Sequence, residues 1–257
     1  MKIRSPYLDK LAEGRSKILT FDCEFWHVLN GANDPHFMTA EKGFFFLPRE
    51  IGGFVLTKRT DGSWEYKAPF YATFFHPKRD TVLPISKFAT VSPQTAYKLD
   101  SIEKQLSRPW GESFLSRLPA NEHALWKEGV KTYHADPNIA SHHQPPSWIK
   151  KLIDLFPNAM VVVKGKNDLF ALQNMCILHG YEYKFPGIVN DIANWNLESR
   201  EKCGSAKLDL TYSCVKDELD DVAKEFQSIL PLEKAHDPST DASMTFLIAL
   251  YIVSKEP

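Results

Sequence analysis

Short apolar runs bounded by turn-forming residues dominate the first third of the chain, and amphipathic helical patterns dominate its last third. Residues 17–26 (KILTFDCEFW) predict a buried strand in which Ile18, Leu19 and Phe21 lead into two carboxylates. Residues 27–48 carry Asn, Gly, Asp and Pro at turn-forming positions and predict a loop holding the run Phe44-Phe45-Phe46. A second strand is expected over 49–58 (REIGGFVLTK), an Asp61-Gly62 hairpin turn after it, and a third strand over 63–75, with Pro69 placing it at an edge or bulge. These three strands make an antiparallel meander. Residues 76–146 are rich in proline and histidine, show helical patterns around 94–106 and 111–131, and read as a helical insertion or connector.

From residue 147 the pattern alternates helix and strand. A short helix with a Ser cap is expected over 147–156, and a strand buried on both faces over 159–164 (AMVVVK). A helix over 167–179 is capped by Asn167 or Asp168 and ends before Gly180. A short strand near 181–185 and helices over 215–227 and 239–253 follow, the last capped by Ser239 or Thr240. The sum is an α/β sandwich over one mixed sheet with the first strand near its centre, and residues 1–257 read as a single domain carrying the 76–146 insertion.

Composition adds little to this picture. The chain has 257 residues, is 43% hydrophobic and 25% charged, and has a formal net charge of −1, which is no basic excess of the kind nucleic-acid-binding proteins often show. Cys23, Cys176, Cys203 and Cys214 lack C-x-x-C spacing and read as thiols of a reducing compartment. No signal-peptide run and no apolar stretch of membrane-spanning length is visible, so a cytoplasmic or nuclear, non-secreted protein with no membrane association is expected.

Chemistry enters with the carboxylates. Asp22 and Glu24 are two apart on a strand and project from the same face. Two like charges that close are unfavourable without a cation, and hard oxygen ligands suit Mg²⁺ or Mn²⁺. Asp168 follows an apolar strand and opens a helix, a place where α/β proteins put ligand groups and where an Asp is also commonly just a cap. His236 precedes Asp241 by five positions at the entry of the last helix. An imidazole titrates near neutrality and can take a proton from water. Asp237, Ser239 or Asp241 could each serve merely as that helix's cap.

Taken in order, these pieces resemble the DnaQ-like 3′→5′ exonucleases of the RNase H-like superfamily, in the DEDDh variant. D-x-E matches at Asp22 and Glu24, E-I-G at Glu50-Ile51-Gly52, the middle-helix Asp at Asp168, and H-x-x-x-x-D at His236 through Asp241. The resemblance spans 17–75 and 159–250 and leaves 76–146 outside it. It implies an RNase H-like α/β/α sandwich with three antiparallel strands followed by parallel ones. It also implies a phosphodiester hydrolase that binds two Mg²⁺ or Mn²⁺ ions through Asp22, Glu24, Asp168 and Asp241, with His236 as base. The implied partners are RNA or DNA 3′ ends, and the implied products nucleoside 5′-monophosphates. The chain departs from the family pattern at Phe25-Trp26 and at Lys164-Gly165-Lys166-Asn167. Phe25 and Trp26 are expected to border the terminal nucleotide, and Lys164 and Lys166 to touch phosphate.

Other readings fit parts of the same pattern. One is a nucleic-acid-binding module of the same fold without turnover. Another is a zinc enzyme built on His134, His142 and His143, which lack helical ligand spacing and a nearby cysteine. A third is an interaction protein whose helix caps mimic the motif. The choice of RNA or DNA, strand preference and the role of 76–146 are not encoded in any motif, and a homo-oligomer is compatible with the sequence without being specified by it.

Overall fold

The structure, a computed structural model, describes residues 2–29, 37–38, 44–74, 98–99, 115–116, 120, 123, 144–232 and 237–256. Its strands are β1 (Lys2–Ile3), β2 (Lys17–Leu29), β3 (Phe44–Lys58), β4 (Trp64–Tyr66), β5 (Phe70–Thr73), β6 (Lys98–Leu99), β7 (Ala159–Val163) and β8 (Ile188–Asp191). Its helices are α1 (Pro6–Ala12), α2 (Ile149–Ile153), α3 (Asn167–His179), α4 (Asn196–Cys203), α5 (Leu208–Val215), α6 (Asp221–Gln227) and α7 (Pro238–Lys255). The strands form one mixed sheet in the order β1-β4-β3-β2-β7-β8, with β5 also on β3 and β6 also on β2.

β2 is central, antiparallel to β3 and parallel to β7. Its period-two pattern explains the layering. Leu19, Phe21 and Cys23 join one apolar layer with α2 and α3, and Ile18 joins the opposite layer with α1, α5, α6 and α7. Helices thus cover both faces, an arrangement compatible with an α/β/α sandwich. β7 is apolar at every position because it is buried on both sides. Among the described residues no helix is long and apolar enough to cross a membrane.

Several local expectations are corrected. The predicted loop 27–48 is strand at both ends: β2 continues to Leu29 and β3 begins at Phe44, so Phe44, Phe45 and Phe46 pair with Leu29, Val28 and His27 in turn. The third strand is two pieces, β4 and β5, interrupted before Pro69, a residue that cannot donate to a ladder. Within the expected helix 94–106, Lys98 and Leu99 instead pair with the end of β2, and the remainder of that helix lies outside the described residues. The helix before β7 opens with a 3-10 turn at Pro146–Trp148 and no side-chain cap. The strand expected near 181–185 does not form: Tyr181 and Tyr183 pack on the core, and the ladder partner of β7 is β8. The helix expected over 215–227 is the last residue of α5, a 3-10 turn and α6, restarted by the Asp220 carboxylate accepting the Ala223 N–H at 2.8 Å, and the rest of α5 lies before the expected range.

The cysteine reading also changes. Cys203 and Cys214 form a disulfide, their Cα atoms 5.7 Å apart, because α4 ends in the left-handed Gly204 (φ 71°) and the chain turns back into α5. Cys23 and Cys176 are buried free thiols.

Candidate metal centre

The site lies where β7 ends beside the middle of β2, and the carboxyl ends of parallel strands are where α/β arrangements open a crevice. The β2–β7 ladder stops at Thr20 and Val162, so the backbone of β2 beyond it needs another partner. Asp168 supplies one: its Oδ1 accepts the Cys23 N–H at 3.0 Å. Asp168 is therefore not a helix cap. The N-cap position of α3 is Lys166, with no side-chain cap bond, and the Asp168 carboxyl is buried against the strand that carries Asp22 and Glu24.

α7 brings the last carboxylate. Asp237, one of the caps the sequence allowed, closes this helix by accepting the Ser239 N–H at 2.9 Å and the Thr240 N–H at 3.3 Å, so neither Ser239 nor Thr240 is the cap. With capping done by Asp237, Asp241 one turn later is available to the crevice. The close approach of this turn to the sheet depends on Gly52: a Cβ there would lie 2.5 Å from Ser239 Oγ and 2.8 Å from the Pro238 carbonyl carbon. Thr20 Oγ1 donates to the Ala242 carbonyl at 3.3 Å and fixes the same turn on β2.

The outcome is a convergence of half-buried carboxylates. Asp22, Glu24 and Asp241 each present an oxygen within 4.8 Å of the others. A Mg²⁺–oxygen bond is about 2.1 Å, so ligand oxygens on opposite sides of one ion are about 4.2 Å apart. The three oxygens thus frame a space of the right scale for one hard cation, and an all-carboxylate donor set suits Mg²⁺ or Mn²⁺ better than zinc.

The electrostatics say the same. Burial, and then the negative charges of Asp168, Asp241, Glu24 and Glu50, hold the Asp22 carboxyl well above the ordinary carboxylate range. Burial raises Asp168 as well, with Glu24, Asp191 and Asp241 adding to it, against the opposing Cys23 N–H bond. Crowding of this kind marks a site that gains from a positive charge placed among its members. Asp191 also orders the entrance: its Oδ1 accepts the N–H groups of Gly165 at 2.6 Å and Ala193 at 2.9 Å, tying the β7–α3 turn to β8.

The remaining expected site residues divide. Lys164 follows β7 and is half-buried, its Nζ donating to the Ala206 carbonyl at 2.5 Å. Burial pulls its ammonium below its usual value while Asp209 and Asp241 pull it back up, so this cation stands within the field of the cluster. Lys166 is exposed at the mouth of α3. Phe25 is half-buried and stacks on Phe46 with ring centres 5.0 Å apart. Trp26 departs from expectation: it is fully buried and donates its indole N–H to the Phe74 carbonyl at 3.0 Å, so it is a core residue with no face for a base. His236 and the trio His134, His142 and His143 lie outside the described residues.

Sequence reasoning missed Arg49, which is buried beside Glu24 and Glu50. The adjacent Arg49-Glu50 pair inside an otherwise apolar strand was the available signal. No protein-family model matches the chain, and no curated protein shows a significant match to it.

Proposed function

We propose that this protein is a two-metal-dependent 3′→5′ exonuclease that hydrolyses phosphodiester bonds of single-stranded RNA or DNA and releases nucleoside 5′-monophosphates. The observation that carries this reading is the convergence of Asp22, Glu24 and Asp241, drawn from a strand and a helix far apart in the chain, within 4.8 Å of one another. Asp168 supports it, since it abandons the ordinary capping role to lie against the same strand. The mixed sheet, with an antiparallel meander before the parallel strands, agrees with the RNase H-like fold that the sequence resemblance implies.

In this reading Asp22, Glu24 and Asp241 would hold one ion, and Asp168 would contribute to a second position. When bound, the divalent ions supply charge neutralisation at the phosphodiester. His236 accepts the proton of the attacking water, the role the resemblance gives it. Lys164, already close enough to feel Asp241, offers its ammonium to a phosphate oxygen, and Lys166 adds a cation at the mouth. Phe25, half-buried and stacked on Phe46, would offer its remaining exposed face as an apolar wall to the terminal nucleotide.

The test uses purified protein with 3′- and 5′-labelled single-stranded RNA and DNA in Mg²⁺, Mn²⁺ or EDTA, beside Asp22→Ala. Stepwise shortening from the 3′ end, lost in EDTA and in the variant, is the expected result. Binding without shortening on every substrate overturns it in favour of a binding module of the same fold.

A further inference from the structure

The pairing of β2 with β3 slips once, next to the carboxylate cluster. Glu24 faces Glu50, but Phe25 faces Pro48, which leaves Arg49 as the extra residue of a β-bulge. Neighbouring residues of a regular strand point to opposite faces. The bulge breaks that rule, so the side chains of Arg49 and Glu50 meet.

Arg49 is 1% exposed, and its guanidinium is used as a fork. Nη1 donates to the Phe25 carbonyl at 3.1 Å, and Nη2 donates to Glu24 Oε2 at 3.3 Å and Glu50 Oε2 at 3.1 Å. Nε donates to Glu50 Oε2 at 3.2 Å, and the guanidinium carbon sits 5.9 Å from the centre of the Trp26 ring. Glu50 is fixed on its other oxygen by the Tyr71 hydroxyl at 2.5 Å. Glu50 therefore acts as counter-charge to Arg49. Without it the guanidinium would pair with Glu24 alone and compete with any cation for that carboxylate. With it, Arg49 holds Glu24 Oε2 while leaving the negative charge of Glu24 largely uncancelled.

We propose that Arg49 is a positioning residue for metal uptake: it retains one oxygen of Glu24 so that the other is presented, with Asp22 and Asp241, to a divalent cation. This rests on the metal-dependent reading above. Charge and position make opposite demands here, and that makes the idea sharp. On charge alone, removing a buried cation beside the cluster tightens divalent binding. Loss of positioning weakens it, by about tenfold or more where a group that orients a ligand is removed.

The experiment is calorimetric titration of Mn²⁺ into wild-type protein, Arg49→Lys and Arg49→Gln, with metal-free thermal unfolding measured on each to establish the fold. The expected order of affinity is wild type, then Arg49→Lys, then Arg49→Gln, the last about tenfold or more weaker than wild type. Arg49→Lys keeps the buried charge but loses the fork, and it decides the matter by itself where Arg49→Gln does not fold. Unchanged or tighter Mn²⁺ binding in a folded variant overturns the inference and leaves the metal-dependent reading standing. A wild-type protein that takes up no Mn²⁺ overturns both.

Discussion

Two helices begin beside the same crevice, and they use aspartate in opposite ways. At α7, Asp237 closes the end of the helix with two backbone N–H bonds, and Asp241, one turn further on, points into the cluster. At α3, the N-cap position is a lysine without a side-chain bond, and the first-turn Asp168 reaches across to the Cys23 N–H of β2. A helix start normally rewards an acidic residue with its own orphan N–H groups. α3 forgoes a side-chain cap bond and directs its first-turn carboxylate to the strand. The difference separates an aspartate that holds the fold from one placed where negative charge already accumulates.

The comparison breaks most severely at Asp241. Asp241→Ala is expected to lower divalent-dependent hydrolysis by at least about 10³-fold, or about 4 kcal/mol of barrier, in a single-turnover assay. If rates persist with Asp241 gone, the α7 carboxylate is not a ligand. Gly52→Ala comes next. The added methyl group collides with Ser239 and Pro238 and moves the first turn of α7 off the sheet, with a cost of about 1–3 kcal/mol read by denaturant unfolding. Mn²⁺ affinity should fall in step.

Asp168→Asn keeps an oxygen for the Cys23 N–H while removing a charge from the cluster. Stability of the metal-free protein at pH 7 should rise while activity falls, two changes of opposite sign that a capping aspartate would not give. The pH dependence sharpens this. Asp22 and Asp168 both stand above their ordinary value of 3.8, so the folded protein keeps protons that the unfolded chain gives up. As pH rises from about 4 the unfolded state is deprotonated first, and the contribution of these groups to stability falls until their raised values are passed. Thermal unfolding from pH 4 to 8 should show that decline reduced in Asp168→Asn, and reduced in wild type by saturating Mg²⁺. A metal-free wild type whose slope matches that of the variant would mean that Asp168 titrates normally. The smallest effect belongs to Asp237→Ala, expected to cost about 1 kcal/mol of stability with Mn²⁺ binding retained. Loss of metal binding there would merge the two roles that the comparison keeps apart.

Much of the site was legible in the sequence because its logic is local. Period two along a strand puts Asp22 and Glu24 on one face, and helix entries locate Asp168 and Asp241. What could not be read depends on partners distant in the chain. Whether Asp168 caps or crosses over is decided by where the β7 ladder stops. Arg49 is explained by a register slip, which no single strand encodes. The alternation Tyr181-Glu182-Tyr183-Lys184-Phe185 imitates a strand, yet its tyrosines pack on the core and β8 forms later, where Ile188–Asp191 matches the register of β7. The Cys203–Cys214 bridge depends on the turn between two helices, neither of which was foreseen, and sequence spacing alone cannot supply that.

The chain distances that meet at β2 also bear on how the molecule assembles. Cys23 and Asp168 are 145 residues apart, and Thr20 and Ala242 are 222 apart, so the crevice closes only after very long loops have been drawn shut. Non-local pairing of this kind is slow, because loop-closure entropy is lost before the contacts that offset it are made. α7 carries Asp241 and also the apolar residues Phe246, Leu247 and Leu250, which fill the layer beneath one face of the sheet. A chain in which α7 has not yet docked therefore has neither a finished core nor a finished cluster. The three-carboxylate cluster is complete only once α7 has docked, so formation of a site for a divalent ion and closure of this layer are one event.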